Sequence, residues 1–350
     1  MRLLVTGHHG FIGSVFLPLA VAAGHEVVGL DSGLFERCTF GVPPTEPWPS
    51  IRRDLRDIAA DDLGGFDAVV HLAALSNDPL GDLDPGLTYE INLEASLRLA
   101  RLAKTAGVER FVFSSSCSNY GAAGSAVLDE TAELKPLTPY AVSKVRLEAA
   151  LVELAGDRFS PVMLRNATAF GVSPRLRLDL VLNNLVASGV ARGEIVLLSD
   201  GTPWRPIVHV EDICRAMLAV LAAPREATHA RAWNVVPEGE NYRVRELAEI
   251  ASEALGGCPV SFAAGAAPDA RDYRVSGARL LAAVPGLRFR WDARRGAREL
   301  VDAFRAAGLG RADFEGPRFK RLAWIQRLVA AGELGTDLRW TRSAVGSVGA

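Results

Sequence analysis

The sequence predicts a doubly wound α/β fold, a parallel sheet with helices on both faces, joined to a smaller α+β unit towards the C-terminus. Three observations carry this. Short β-branched runs alternate with longer amphipathic stretches through the first half of the chain. A glycine-rich turn joins the first run directly to the first helical stretch. After Gly171 that rhythm stops, and an Arg-, Pro- and Gly-rich stretch takes over. Strand–helix–strand repeats force parallel pairing, because each crossover helix must lie over a face of the sheet.

Taken in order, residues 3–6, 26–30, 67–72, 110–114 and 161–165 read as buried strands, since each is a short and nearly continuous apolar run. Helices are expected over 13–23, 87–106 and 140–154. The Pro-rich stretch 42–50 reads as a surface loop before a short strand near 50–52. Residues 172–206 hold one expected helix, 178–189. A helix at 210–221 and a strand at 232–236 return to the α/β pattern. Segments 238–284 and 305–340 read as the smaller α+β unit. The expected division is a first domain of 1–171 to which 207–237 returns, a discontinuous second domain of 172–206 and 238–340, and a tail of 341–350 expected to be disordered.

Composition removes several classes of function. Lysine and arginine number 39 against 41 aspartates and glutamates, so no global charge draws the chain to nucleic acid or to an anionic membrane. No apolar run is long enough to span a bilayer. The first residues turn to glycine at once and do not read as a secretory signal. Cys38, Cys117, Cys214 and Cys258 are scattered, with neither metal spacing nor a disulfide rhythm. The expected setting is the cytoplasm, and no metal is expected.

Thr6-Gly7-His8-His9-Gly10-Phe11-Ile12-Gly13 follows the first strand and opens a helix. Gly7 allows the tight strand exit, Gly10 lets the backbone approach a pyrophosphate, and Gly13 permits close helix–strand packing. His9, Phe11 and Ile12 lie at the helix N-terminus, whose N–H groups and positive dipole end suit phosphate. The second strand ends at Asp31, where an acidic side chain accepts from ribose hydroxyls and repels a 2′-phosphate. No arginine follows before Arg37, so the cofactor predicted is NAD rather than NADP. Asp54 and Leu55, and Leu72-Ala73-Ala74 after His71, stand where an adenine edge and a ribose would rest.

Tyr140 and Lys144 lie about one helical turn apart, so the phenol and the ammonium share a face. A neighbouring cation favours the phenolate, and a phenol tuned towards neutrality takes a proton from a sugar hydroxyl as hydride leaves carbon. The run Ser114-Ser115-Ser116-Cys117-Ser118-Asn119-Tyr120-Gly121 directly follows the fifth strand, where a serine can hydrogen-bond the reacting oxygen.

With these residues in place, TGHHGFIG, HLAA, SSSCSNYG, PYAVSK and LRNATAFG, in that order, resemble the extended short-chain dehydrogenase/reductases. More narrowly, they resemble the NAD-dependent epimerase/dehydratase branch acting on nucleotide sugars, over roughly residues 1–300. The resemblance implies a Rossmann domain, a catalytic triad of Ser116, Tyr140 and Lys144, and a structural asparagine, Asn92, lining the active site. It places Ser114 and Asn166 with the cofactor, and Thr168 beside Asn166 where the nicotinamide packs. Sugar-nucleotide 4,6-dehydratases carry Asp-Glu where this chain has Cys117-Ser118, so elimination is disfavoured, although Asp129 and Glu130 lie further along. A decarboxylase is weakened for the same reason.

At the substrate end, the segment from Arg205 to Asp212 resembles the family's R-x-x-x-H-V-x-D stretch. By that resemblance Arg205 clasps a nucleotide diphosphate, which suits a bidentate guanidinium, and His209 and Asp212 are structural. Asn184, with Asn183 close behind, fits a phosphate-binding asparagine, and Arg271 a second phosphate clamp. Ser116, Cys117 and Ser118 face the substrate, Cys117 as a small buried thiol. The resemblance also implies a homodimer through a four-helix bundle built from the helices at 87–106 and 140–154. The expected activity is a redox-neutral nucleotide-sugar epimerase passing through a 4-keto sugar. The alternative is an NAD(H)-dependent 4-ketoreductase or dehydrogenase.

Overall fold

Seven parallel strands form the central sheet, in the order Arg231–Val235, Ser160–Asn166, Arg110–Ser116, Ala68–His71, Arg2–Thr6, Glu26–Asp31 and Ser50–Arg52. The computed structural model describes residues 1–42, 46–267 and 271–341. The expected tail beyond 341 and the middle of the Pro-rich loop, 43–45, lie outside the described residues. Strand order reverses on the two sides of Arg2–Thr6, which pairs with Glu26–Asp31 on one side and Ala68–His71 on the other. A crevice opens at such a switch point, beyond the carboxyl ends of the strands.

Alternate residues of each strand go to opposite faces. Leu3, Val5, Val70 and Val112 pack with Phe16, Leu17 and Met217 on one face. Leu4, Val69, Phe111 and Phe113 pack with Leu99, Ala103, Leu147 and Leu151 on the other. Helices Gly13–Ala22 and Val210–Ala222 thus cover one side, and Ser96–Thr105 and Pro139–Leu154 the other. Burial on both sides is why these strands read as unbroken apolar runs. The expected helix over 87–106 is one continuous rod with a wide π-helical turn, Glu90–Ala95, between Pro85–Tyr89 and Ser96–Thr105.

A second core gathers Leu182, Leu185 and Val186 with Leu247, Ala251, Leu300, Val301 and Phe304. Its helices are Val181–Arg192, Val244–Ala254 and Ala293–Ala306. The first begins three residues later than expected: Leu178 gives its N–H to the Phe319 carbonyl at 2.8 Å, and Leu180, with an extended backbone, stands at the N-terminal cap. Ala293–Ala306 was not expected at all, since its arginines hide the apolar stripe. Ala122–Leu128 and its parallel partner Asp272–Val275 were also missed. That pairing is long-range, and Ala122–Leu128 carries little β-branched pattern. Among the described residues no helix is long and apolar enough to cross a membrane.

Candidate active site

The glycine turn is shaped by steric need. Gly7 has a φ of +75°, and a Cβ there would lie 2.6 Å from the Ala73 nitrogen. A Cβ on Gly13 would lie 2.5 Å from the Gly7 carbonyl oxygen. The turn therefore sits tight against both the Leu72–Ala73 backbone and its own helix. The Asp31 carboxylate accepts from the backbone N–H of His9 at 3.1 Å and of Gly33 at 2.7 Å, so it also braces this turn.

Gly7, Gly10, Phe11, Ile12 and Gly13 line one cleft together with Asp31, Asp54, Leu55, Leu72, Ala73 and Ala74. The same cleft is lined by Ser114, Ser116, Ser118, Tyr140, Lys144, Asn166, Thr168, Arg205 and Arg271. Strand ends of the central sheet on either side of Arg2–Thr6 bring the glycine turn, Asp31, Ala73 and the serines to one edge, where helix Pro139–Leu154 adds Tyr140 and Lys144 and the second unit adds Arg205 and Arg271.

Strand Arg110–Ser116 delivers the serines, and helix Pro139–Leu154 delivers Tyr140 and Lys144. Thr138 caps that helix by accepting from the Ala141 N–H at 3.2 Å, which holds Tyr140 in its first turn. The Ser116 hydroxyl lies close enough to the Tyr140 phenol to favour its ionised form. Ser116 Oγ accepts from the Ser118 N–H at 3.1 Å. Lys144 Nζ donates to the Ser114 carbonyl at 2.8 Å and lies 4.6 Å from the Phe113 ring centre. Burial pushes the Tyr140 phenol up to about 12, the Asp78 carboxylate adds to that rise, and the Ser116 hydroxyl opposes it. Burial also draws the Lys144 ammonium down to about 7. The expectation of a phenol tuned towards neutrality by a cation is not met in the chain alone, because desolvation and the Asp78 carboxylate outweigh the lowering influence of Ser116 and Arg177.

Several expected residues lie behind the cleft. Asn92 is buried, accepts from the Leu75 N–H at 2.8 Å and donates to the Leu75 carbonyl at 3.0 Å. It positions the loop that lines the cleft, from within the π-helical turn. Cys117 is buried with its thiol 3.1 Å from the Arg165 carbonyl oxygen, away from the cleft lining. His9 binds Glu46 through its ring at 2.9 Å. Asn184 donates to the Leu178 carbonyl at 2.8 Å, and Asn183 to those of Gly171 and Arg177 at 3.2 and 3.1 Å. Neither asparagine reaches the cleft lining; both hold the 171–178 segment. Glu130 is tied to the Asn234 N–H at 2.8 Å and Asp129 to the Thr131 N–H at 2.8 Å. Neither supplies a carboxylate to the cleft lining.

Asp78 supplies one, and sequence reasoning missed it. It accepts from Thr138 Oγ1 at 2.6 Å and from Arg271 Nη1 at 2.7 Å. Arg205 Nη1 in turn donates to the Arg271 carbonyl, so both arginines meet beside Tyr273 at the cleft. The available signal was Asn77, which caps the short helix Asp78–Gly81 and so fixes Asp78. Removing the Asp78 anion should favour the phenolate, so Asp78→Asn is expected to move the acid limb of the rate profile to lower pH. A shift the other way would show that Asp78 does not act on Tyr140.

The model of the NAD dependent epimerase/dehydratase family matches residues 3–235, two thirds of the chain. The chain belongs to that family. A UDP-glucose 4-epimerase of Streptomyces lividans is 30% identical over 276 residues, covering 73% of this chain and 81% of the relative. The structure of MoeE5 in complex with UDP-glucose and NAD is similar with a TM-score of 0.75 at 29% identity, over 88% of this chain and 99% of that one. The Thermus thermophilus UDP-glucose 4-epimerase in complex with NAD gives a TM-score of 0.74 at 30% identity, over 88% of this chain and all of that one.

The family's cofactor is NAD, and the cleft fits it in two ways. The glycine turn leaves no room for side chains against its own backbone. Asn166, whose Nδ2 donates to Ser114 Oγ at 2.9 Å, keeps a buried Oδ1 with no hydrogen-bond partner among the described residues. A buried acceptor left open in this way is suited to an amide donor from a ligand.

Proposed function

We propose that the protein is an NAD-dependent nucleotide-sugar epimerase that inverts C4 of its sugar by way of a 4-keto intermediate. The observation that supports this most is the union, in one cleft, of the Ser116–Tyr140–Lys144 group with the glycine turn and Asp31. Bound NAD supplies the hydride acceptor and donor and a positively charged ring. Tyr140 takes the proton of the sugar hydroxyl and returns it after the ketone has turned over. Ser116 hydrogen-bonds the same oxygen and orients Tyr140. Lys144 orders the floor of the site through the Ser114 carbonyl, and Arg205 and Arg271 take the diphosphate of the sugar nucleotide.

Cys117 and Ser118 offer no carboxylate for elimination, which argues against a 4,6-dehydratase. The test is incubation with UDP-glucose or UDP-galactose followed by proton NMR. Both should converge on one mixture with no net formation of NADH. Steady consumption of added NADH with a keto sugar would instead establish the ketoreductase reading.

The proposal includes a cytoplasmic setting and two working parts, with 1–171 and 207–237 for the cofactor and 172–206 and 238–340 for the substrate. It also includes a homodimer in which helices Ser96–Thr105 and Pro139–Leu154 of each copy form a four-helix bundle. Val152, 47% exposed on the second of these helices, supports that face. The NMR sample should scatter light as a dimer at micromolar concentration, and a monomer would reject the bundle.

A further inference from the structure

Residues 321–341 turn away from the second core and run back over the first. Helix Arg321–Ala330 and the turns after it pack Trp324, Leu328, Leu334 and Leu338 against Cys38, Leu75, Leu80 and Leu87. The segment is fastened to the loop that follows Asp31. Trp340 Nε1 donates to the Ser32 carbonyl at 2.7 Å, and Trp324 Nε1 to the Leu34 carbonyl at 2.8 Å. Arg56 Nη1 donates to the Asp337 carbonyl at 2.9 Å, and Arg339 pairs with Asp57 at 2.5 Å.

Two of its side chains, Arg321 and Leu338, line the cleft with Leu34 and Phe35. Each is held at a cost. Leu338 has a φ of +57°, a left-handed backbone that strains a bulky side chain. Arg321 is 2% exposed, and its Nη1 has no hydrogen-bond partner among the described residues. Its Nη2 donates to the Arg175 carbonyl at 3.0 Å, and its guanidinium lies 4.3 Å from the Phe35 ring centre. Burial and the neighbouring Arg177 draw it down to about 10.

The local charges do not balance. Arg175, Arg177 and Arg321 are all buried. Facing them, Asp179 is shared among Arg177, at 2.9 Å, Asn77, at 2.7 Å, and the backbone N–H of Arg321, at 3.4 Å. Glu46 lies 3.8 Å from Arg175 and is already shared with His9. A buried cation with an open donor needs an anion to complete it.

We propose that residues 321–341 form part of the dinucleotide site. Arg321 supplies positive charge to a diphosphate, and Leu338 covers the adenosine side of the cleft. The inference rests on the reading of the cleft as an NAD site. A diphosphate could come from the dinucleotide or from the sugar nucleotide. The ties to Ser32, Leu34 and Asp57, beside Asp31, favour the dinucleotide.

The test uses the full chain loaded with NADH and chased with excess NAD, with NADH fluorescence reporting release. UDP affinity is measured in parallel by calorimetry. Arg321→Gln should speed release by about tenfold or more at any ionic strength, since loss of a buried charge partner acts on the off-rate and is little screened by salt. Leu338→Ala should speed it about threefold without a change in salt dependence. UDP affinity should hold in both. Should Arg321→Gln fail to fold, Leu338→Ala decides. Unchanged release from a folded variant, or loss of UDP affinity with unchanged NADH release, would overturn the proposal. A wild-type chain that takes up no NADH would instead overturn the NAD reading beneath it.

Discussion

Tyr140→Phe is expected to lower kcat by about 10²–10⁴-fold, the range for loss of a positioned general base. That corresponds to roughly 3–5 kcal/mol of transition-state stabilisation. The substitution removes one oxygen from the first turn of helix Pro139–Leu154 and leaves the ring in place. What it deletes is the hydroxyl beside Ser116, the proposed acceptor for the sugar's proton. Cofactor affinity should change little, because the glycine turn, Asp31 and Asn166 are untouched. The pH dependence separates chemistry from packing. With its phenol raised to about 12, Tyr140 is neutral through the physiological range, and the fraction ready to accept a proton grows as pH rises. The wild-type rate should therefore climb with pH, while residual Tyr140→Phe activity should be flat over the same interval. NADH titration and epimer conversion by NMR check both parts. A Phe variant with wild-type turnover would show that the proton goes elsewhere.

Glu148→Gln is expected to destabilise the fold by about 3–5 kcal/mol, as when one partner of a buried ion pair is removed. Glu148 and Arg165 are 5% and 6% exposed and meet at 2.7 Å beneath the serines that end strand Arg110–Ser116. The carboxylate also accepts from Ser115 Oγ at 2.5 Å and from Asn119 Nδ2 at 3.0 Å. Arg165 Nη1 goes on to Tyr120, whose hydroxyl donates to Asn234 at 2.8 Å. Neutralising Glu148 leaves the guanidinium buried without its counter-charge. For a chain of this length the loss should lower Tm by roughly 4–7 °C. A Glu148→Met, Arg165→Met double variant should recover much of it, since two apolar groups leave no buried charge. A single variant that melts like wild type would mean that water reaches this network.

The folded pattern explains which parts of this were legible. Gly7, Gly10 and Gly13 could be read because a turn's needs are local. Tyr140 and Lys144 could be read because helical spacing brings them to one face. The five long strands could be read because sheet burial on both sides writes an unbroken apolar run. Asn92, Cys117, Asn183 and Asn184 lie close to the cleft in sequence terms, yet each is spent on backbone groups behind it. A motif can name the neighbourhood of a side chain; it does not say which way hydrogen bonding will turn it.

By itself the sequence determined the doubly wound sheet, the glycine turn, the acidic end of the second strand and the tyrosine–lysine pair. Each of these is encoded by spacing within a few residues. Tertiary structure alone decided that Asp78 meets Arg271 across 193 residues, and that Arg321 and Leu338 return to the cleft beside Phe35. It also decided that Tyr140 is raised rather than lowered. Burial and the charges on neighbouring elements set that phenol, and both exist only once distant segments have packed together.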